Sequence, residues 1–326
     1  MAEDLPQDRI VEWLRASPDP LSGEELARRL GCSRAAVHKQ VEALREAGWR
    51  IDARHAQGYL LLGAPDRLDS AALGPHLTGR WRRIVWFAET DSTQRVARDL
   101  AHDGAEEGTI VIAEAQSAGR GRLGRSWHSP PGTNLYCSIV LRPPLPPGGV
   151  PQLALVLGLA AADAVAAVAG LEVGLKWPND VVLDGRKAAG ILTEMEAEVE
   201  RVHHVVAGLG VNVNAEAFPP ELAATATSLR LAAGRPVDRA VLTAALLAAV
   251  ERRYDRFVAE GFAPVRREWE QRSWLGGKEV RVASPEGELH GRVLGLDDDG
   301  ALRLETPVGL RRVVAGEVTL PGAYAR

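Results

Sequence analysis

The chain has 326 residues, of which 46% are hydrophobic and 25% are charged, as expected for a globular protein of two or three domains. Its formal net charge is −4, so any contact with nucleic acid must come from a local basic patch and not from the overall charge. Its two cysteines, Cys32 and Cys137, are too few for a disulfide framework or a cysteine metal centre. The first residues are too polar for a signal peptide. The most apolar run, residues 153–169, contains Asp163 and is shorter than the roughly 20 residues of a membrane span. These features predict a cytoplasmic protein that does not cross a membrane.

Residues 1–64 have the pattern of a winged helix-turn-helix DNA-binding domain. After a first amphipathic helix, Ser22 and Glu25 form a capping box for a second, and Ser33 opens a third. Two strand-like runs follow, joined by a hairpin tip at residues 54–58. The third helix of such a domain enters the DNA major groove, and its wing contacts the backbone or minor groove. Cations on the third helix and at the hairpin favour DNA binding over protein contacts alone: Arg34, His38, Lys39 and Arg54.

A proline-punctuated linker at residues 64–66 leads into a second region, residues 65–272, where helical and strand-like runs mix without strict alternation. This order predicts an α+β domain with a mixed, mostly antiparallel sheet. The predicted elements are a strand at 83–88, a helix at 93–103, strands at 109–114 and 135–141, a helix at 151–168, shorter strands between 173 and 209, and a helix at 237–260. From residue 273 to 326, short strands and turns, among them one at residues 285–287, predict a small SH3-like β-barrel.

Residues 119–127 read Gly-Arg-Gly-Arg-Leu-Gly-Arg-Ser-Trp. Glycine lets the backbone approach a ligand closely, and the arginine fork matches carboxylate and phosphate oxygens. Repetitive Arg-Gly-Gly segments that bind nucleic acid loosely are of low complexity, whereas this stretch occurs once, between two strand-like runs. We therefore predict a loop that binds a small anion.

Two further motifs place a lysine beside possible ligand space. Residues 176–180, Lys-Trp-Pro-Asn-Asp, combine a lysine, a turn fixed by proline, and adjacent amide and carboxylate side chains, although a plain turn between strands is compatible with them. A hairpin turn at Asp184 and Gly185 then places Lys187 on the next strand, followed by small residues that leave room for a ligand.

Weaker signals come from three other places. Ser92, Thr93 and Gln94 begin a helix, where plain capping is the simpler interpretation. Gln116 offers an amide three residues before the Gly/Arg-rich stretch, and residues 208–214 end a strand with glycines and two carboxamides. The sequence contains no Ser/His/Asp arrangement, zinc-protease spacing or P-loop. Cations and carboxamides with one adjacent acid suit nucleotidyl transfer, which must neutralise a carboxylate and a phosphate before they meet.

With these motifs the chain resembles the family of bifunctional biotin–protein ligases and biotin operon repressors along nearly its whole length. The matching segments are residues 119–125 (GRGRxGR), 176–180 (KWPND), 187–192 (KxxGIL), 208–212 (resembling GIGIN), and 33–39 with 58–59 in the repressor head. Gln94 departs from the family, which usually has asparagine after Ser-Thr. The extra methylene changes the reach of that side chain.

The resemblance implies a two-step ligase reaction. The biotin carboxylate attacks the α-phosphate of ATP, with Mg²⁺ assisting, to give biotinoyl-5′-AMP and pyrophosphate. A lysine of the biotin carboxyl carrier protein of acetyl-CoA carboxylase then forms an amide. The resemblance also implies operator DNA as a partner, repression of biotin-synthesis genes and a homodimer when the adenylate is bound. A lipoate-type ligase and a biotin-sensing transcription factor with little ligase activity stay open as alternatives.

Roles carried over by motif fall into three groups. Biotin binding is implied for Ser92, Thr93, Gln94, Gln116, Arg120, Gly121, Arg122 and Lys187. ATP or adenylate binding is implied for Gly119, Arg120, Arg122, Asn179 and Asn212. The catalytic set is Lys187, Arg122 and Asp180, with Lys187 between the carboxylate and the α-phosphate and the metal near Asp180. The separate roles of Asn179, Asp180 and Asn212 stay open.

Overall fold

In a computed structural model the protein is described over residues 6–46, 48–54, 57–63, 66–285 and 287–320. Contacts within the chain divide it into two compact units, Met1–Arg67 and Leu68–Arg326. Parts of three predicted features lie outside the described residues: positions 55 and 56 of the hairpin tip, 64 and 65 of the linker, and 286 of the turn after residue 284.

The first unit has the predicted winged helix-turn-helix order. Its elements are α1 (Pro6–Ala16), α2 (Gly23–Leu30), α3 (Arg34–Glu46), β1 (Arg50–Arg54) and β2 (Gly58–Gly63), with β1 and β2 forming an antiparallel hairpin. The Ser22 Oγ atom accepts a hydrogen bond of 3.1 Å from the Glu25 N–H. The predicted capping box is only half formed, because the Glu25 carboxylate binds Arg28 and Arg29 instead of the Ser22 backbone.

The second unit holds the remaining elements. They are α4 (Ser70–Leu73), β3 (Ile84–Phe87), α5 (Thr93–His102), β4 (Ile110–Ala113), β5 (Leu135–Leu141), α6 (Val150–Ala169), β6 (Gly174–Lys176), β7 (Asp180–Leu183), β8 (Arg186–Ala197), β9 (Val202–Val211), α7 (Pro220–Ala223), α8 (Leu229–Ala233), α9 (Arg239–Glu260), α10 (Phe262–Gln271), β10 (Glu279–Ser284), β11 (Gly287–Leu296), β12 (Leu302–Thr306), β13 (Gly309–Val313) and β14 (Glu317–Thr319).

A seven-stranded sheet of order β3-β4-β5-β9-β8-β7-β6 forms the centre of this unit. Within the described residues β3 and β4 are its one parallel pair, which confirms the predicted mixed, mostly antiparallel sheet. The prediction of short strands between residues 173 and 209 is wrong for β8 and β9, which have 12 and 10 residues. The second half of β8 is largely exposed and polar, so it lacks the apolar pattern of a buried strand.

Helix α6 packs against the sheet and α9. Together with the turn before it, Pro147–Ala169, it is the one described segment long and apolar enough to cross a membrane, and 67% of its most apolar window is buried inside the protein. The prediction that this apolar segment is too short to span a membrane was wrong, since α6 itself has 20 residues. Its burial is that of a core helix.

The last five strands form an antiparallel sheet of order β13-β12-β11-β10-β14. The final strand β14 returns to pair with the first strand, β10, as in the predicted SH3-like barrel. This part lies in the same compact unit as the mixed sheet.

The two cysteines differ sharply in environment. Cys137 on β5 is 2% exposed, and burial raises the pKa of its thiol to about 12, whereas Cys32 is exposed. Because the thiolate is the reactive form, we expect an aromatic disulfide reagent to titrate Cys32 alone in the native protein and both thiols after denaturation. Cys32→Ser should leave no fast-reacting thiol. Rapid titration of Cys137 in the native protein would contradict this burial.

Candidate active site

Gln116, just beyond β4, connects the start of α5 to the chain that leaves the Gly/Arg-rich stretch. Its Oε1 accepts hydrogen bonds from the Thr93 N–H at 2.8 Å and from the Thr93 hydroxyl at 3.1 Å. Its Nε2 donates to the Ser129 Oγ at 3.0 Å, and that hydroxyl donates to the Trp127 carbonyl. Gln116 therefore satisfies backbone and side-chain groups at the helix N-terminus. No sequence pattern predicted a role for Ser129.

Ser92, at the N-cap position of α5, does not cap the helix. It is 2% exposed, and its Oγ has no hydrogen-bond partner among the residues that the structure describes. The preferred interpretation of this motif as plain capping is therefore wrong for Ser92. Buried hydroxyls are nearly always paired, so this hydroxyl is available to a ligand as both donor and acceptor.

Replacing Ser92 with alanine tests this availability. No protein hydrogen bond is lost, so we expect an unchanged unfolding midpoint and a KM for the ligand of this site raised by about 5- to 10-fold, the value of one hydrogen bond, with little change in kcat. Ser138→Ala is the matched control, because the Ser138 hydroxyl donates to Thr93 and Gln94 inside the protein and its loss should lower stability. A KM unaffected by Ser92→Ala would remove Ser92 from the site.

Gln94 is buried against the sheet. Its Nε2 donates to the carbonyls of Val206 at 3.0 Å and Leu192 at 3.4 Å, and its Oε1 accepts from the Ser138 hydroxyl at 3.1 Å. A Cβ at Gly208 would come within 2.5 Å of that Oε1. The longer side chain thus reaches the strand carbonyls and is fully engaged with the protein.

The residues of the Gly/Arg-rich stretch form a loop ordered by its own backbone. The Trp127 N–H donates to the Gly119 carbonyl at 2.8 Å, and the Gly121 N–H donates to the Arg125 carbonyl at 2.7 Å. Arg125 forms a two-pronged ion pair with Glu317 on β14, with Nη1 and Oε1 2.7 Å apart. The loop is therefore tied to the C-terminal sheet by a residue that the sequence analysis did not single out, Glu317.

Two arginines of the loop differ in their surroundings. Arg122 is half-buried, and its Nη1 donates to the Asn179 Oδ1 at 3.1 Å. Burial lowers the pKa of its guanidinium. Asn179 also donates to the Ile191 carbonyl at 2.6 Å, so it fixes the position of Arg122 against β8. Arg120 is exposed and makes no hydrogen bond or ion pair with any side chain that the structure describes.

Lys187 and Asp180 form the charged centre of the site. The predicted hairpin turn is present, with φ of 48° at Asp184 and 76° at Gly185, the left-handed values of a type I′ turn. It brings Lys187 Nζ to 2.6 Å from Asp180 Oδ1, with the lysine side chain 35% exposed. Because about a third of this side chain is exposed, the ammonium is accessible to a bound anion.

The Trp127 indole packs directly over two glycines. A Cβ at Gly210 would come within 2.5 Å of the indole, and one at Gly190 within 3.0 Å. Lys187 Nζ is 5.3 Å from the ring centroid, a cation–π distance. The close approach of a flat ring to the strands thus explains both the glycine after Lys187 and the second glycine of the 208–214 segment.

Lys176 and Asn212 complete the predicted set. Lys176 on β6 is half-buried, and burial lowers the pKa of its amine, with Lys187 nearby acting in the same direction. Asn212 is 5% exposed and donates to the Thr227 carbonyl at 3.1 Å. It therefore holds the segment after β9 against the sheet, and its contact with Lys187 is a long one, 3.5 Å to the backbone carbonyl.

The predicted DNA-contacting residues lie on the first unit. Arg34, His38 and Lys39 are exposed on α3, and His38 Nδ1 is 3.3 Å from the Tyr59 hydroxyl of β2. Arg54 is exposed at the end of β1 and pairs with Asp52 at 3.1 Å. All three side chains are exposed, and Arg34 and His38 lie about one helical turn apart.

Comparisons with known proteins match each part of the chain. The model of the biotin/lipoate A/B protein ligase family matches residues 86–212, an HTH domain model matches residues 6–60, and the biotin protein ligase C-terminal domain model matches residues 275–320. The bifunctional ligase/repressor BirA of Bacillus subtilis is 38% identical over 324 residues, covering 98% of this chain and all of that protein. The chain belongs to the family of bifunctional biotin ligases and repressors. BirA of Escherichia coli, 32% identical over 93% of both chains, is a second such relative.

A solved structure agrees with this assignment. A biotin protein ligase from Aquifex aeolicus, determined in complex with biotin and ATP, superposes with a TM-score of 0.65 and 31% identity. It covers 73% of this chain and 98% of its own. The family membership therefore rests on both sequence and fold.

Proposed function

We propose that this protein joins biotin to ATP to form biotinoyl-5′-AMP and then transfers the biotinoyl group to a lysine of a biotin carboxyl carrier protein. The observation that carries the proposal is the charged centre, in which the Lys187 ammonium is paired with Asp180 and the Arg122 guanidinium is held by the neighbouring Asn179. The Ser92 hydroxyl, which has no hydrogen-bond partner among the described residues, is a further candidate for ligand contact. Relatives over the full length of the chain are named bifunctional ligase/repressors.

The first step brings two anions together. A biotin carboxylate oxygen attacks the α-phosphorus of ATP, the bond from that phosphorus to the pyrophosphate oxygen breaks, and pyrophosphate leaves. The Lys187 ammonium neutralises the carboxylate and the α-phosphate as they approach. Arg122, held by Asn179, presents a planar guanidinium to the same oxygens.

The second step uses the same centre. The neutral amine of the carrier lysine attacks the acyl carbon of the mixed anhydride, the bond to the AMP oxygen breaks, and one proton is released from the amine. Asp180 holds Lys187 by charge and keeps its Nζ beside the departing phosphate. The products are the amide and AMP.

A magnesium ion fits this site only when it is bound together with the nucleotide phosphates. Among the described residues no group of three His, Cys, Asp or Glu side chains is placed to hold a metal ion. Magnesium bound to substrate phosphates, however, needs only one or two protein carboxylates. Asp180 would hold it, and it would supply positive charge to the phosphates.

We further propose that the head represses biotin-synthesis genes when the adenylate is bound and the protein is a homodimer. One winged helix has a small basic surface on a chain of net negative charge, so a monomer should bind operator DNA weakly. Two heads on a two-fold axis gain affinity through effective concentration. The carrier protein consumes the adenylate and so opposes repression. Because operator DNA and the carrier protein are the proposed partners, we also propose a cytoplasmic location.

The ligase proposal is tested by incubating the protein with labelled ATP and either biotin or lipoate, followed by chromatography for the adenylate. We expect the biotin adenylate and no lipoate adenylate. A lipoate adenylate alone would identify a lipoate-type ligase. Operator binding that responds to biotin, with no adenylate formed, would identify a biotin-sensing transcription factor.

The repressor proposal needs a separate measurement. Labelled operator DNA is titrated with the protein, with and without biotin plus ATP, alongside sedimentation. We expect the adenylate to tighten DNA binding and promote dimers, and added carrier protein to reverse both. Equal affinity in the two states would leave a ligase whose head is not coupled to its active site.

A further inference from the structure

The hairpin turn before Lys187 packs on a tryptophan from a distant part of the chain. A Cβ at Gly185 would lie 2.8 Å from Cζ2 of Trp274, so the turn rests directly on the indole. Gly174 of β6 approaches the same side chain, since a Cβ there would lie 3.1 Å from the Trp274 Cβ. Trp274 thus supports both the β7–β8 turn and the edge strand of the mixed sheet.

Trp274 is itself firmly held. The backbone N–H of Trp274 donates to the Leu175 carbonyl at 2.8 Å, and the Leu175 N–H donates to the Arg272 carbonyl at 2.8 Å. Residues 272–274 therefore pair with the edge of β6. The Arg272 guanidinium binds Asp163 of α6 at 2.7 Å. Lys278 Nζ lies 4.0 Å from the ring centroid, and this cation–π contact holds the indole in place.

The strand ladder beside Lys187 is irregular. Val181 pairs with Ala189 and Val182 pairs with Lys187, so the register shifts between them. Such a bulge leaves one residue without a ladder partner and bends the strand. Pairing with β7 is therefore interrupted beside Lys187. The Lys187 backbone is also held on its other side, where its N–H donates to the Thr225 carbonyl at 2.7 Å and its carbonyl accepts from the Thr227 N–H at 2.9 Å. These bonds fix the backbone at Lys187 itself, and the turn two residues earlier sets the path of the chain that leads into it.

We propose that Trp274 is a positioning residue for Lys187. It touches none of the proposed reacting groups and acts through the Gly185 turn, so the inference rests on the ligase function proposed above. Its removal should let the turn shift, and a displacement of about 1 Å in a reacting group can reduce a rate by up to ~100-fold.

The first test is single-turnover adenylate formation by Trp274→Ala. We expect a rate lower by about 10- to 100-fold, with little change in the KM for biotin, because Ser92 and Gln116 lie on other elements. Trp274→Phe keeps a flat ring under the turn and should restore most of the rate. A loss of fold alone would lower the unfolding midpoint and the amplitude of the single-turnover reaction, whereas the positioning role lowers its rate constant at saturating substrate.

Gly185→Ala gives a second test with a matched control. Gly170 ends α6 with φ of 70°, close to the 76° of Gly185, but a Cβ there meets nothing within 4 Å. Gly170→Ala therefore carries the same backbone strain without the indole contact. We expect Gly185→Ala to slow adenylation and Gly170→Ala to leave its rate near that of the wild type. In the Trp274→Ala background Gly185→Ala should have a much smaller effect.

The outcomes separate this inference from the function on which it rests. If the wild type forms no adenylate, the proposed function fails. If the wild type is active and Trp274→Ala is equally active, or if the effects of Gly185→Ala and Trp274→Ala are simply additive, the positioning role is overturned and the function stands.

Discussion

Replacing Lys187 with methionine is expected to lower the rate of biotinoyl-5′-AMP formation by about two to three orders of magnitude, as the loss of one preorganised charge partner does elsewhere. The ammonium lies 2.6 Å from Asp180 and faces the proposed meeting point of a carboxylate and a phosphate. Methionine keeps a similar length and removes the charge. Because the lysine side chain is 35% exposed, stability should change little.

Arg186→Met is the matched control for this experiment. Arg186 is an exposed cation on the same hairpin, one residue away, and lies outside the proposed charge centre. We expect nearly wild-type single-turnover release of pyrophosphate from this variant. Unchanged release from Lys187→Met would assign the neutralising role to another cation, and Lys176 would be the next candidate.

The second large effect concerns stability and arises at Arg239. This side chain at the start of α9 is completely buried, and its Nη1 donates to the Glu114 Oε2 at 2.9 Å and to the Asn134 carbonyl at 2.9 Å. The other oxygen of Glu114 accepts hydrogen bonds from Leu68 N–H at 2.7 Å and from Trp86 Nε1 at 3.2 Å. The buried pair thus joins α9 to the ends of β4 and β5.

Removing one partner of a buried ion pair leaves the other charge without compensation. Arg239→Met should therefore lower the free energy of unfolding by about 3–5 kcal/mol, as measured by urea denaturation of the full chain. Combining it with Glu114→Gln removes both charges, so the double variant should be less destabilised than the sum of the two single variants. Additive losses would mean that the two charges do not stabilise each other.

Local signals in the sequence predicted most of the elements that carry the site. The strand at residues 135–141 matches β5 at both ends, and the helix predicted at 93–103 ends one residue beyond α5. The turn at Asp184 and Gly185 was equally readable, because two residues with positive φ have a distinctive composition. Each of these features is decided within a few residues of chain.

Contacts between distant residues were not predictable in this way. Arg125 and Glu317 are 192 positions apart, so nothing local links them. The contact of Trp274 with the hairpin turn and that of Ser129 with Gln116 likewise form only in the folded protein. The orientation of Gln94 into the sheet depends on hydrogen bonds to the carbonyls of Val206 and Leu192 and on the room left by Gly208, none of which a spacing rule encodes. Helix α10 was missed because the apolar face it buries has only a few residues, including Phe262, Val265 and Trp269.

The proposed mechanism depends on direct attack by the biotin carboxylate on the α-phosphorus beside Lys187. Biotin labelled with heavy oxygen in its carboxylate, ATP and a carrier protein are incubated with the enzyme, and the nucleotide and pyrophosphate products are analysed by mass spectrometry. Direct attack predicts one heavy oxygen in AMP and none in pyrophosphate, because the attacking oxygen stays on phosphorus when the acyl group moves to the lysine. Unlabelled AMP accompanying biotinylated carrier would contradict it.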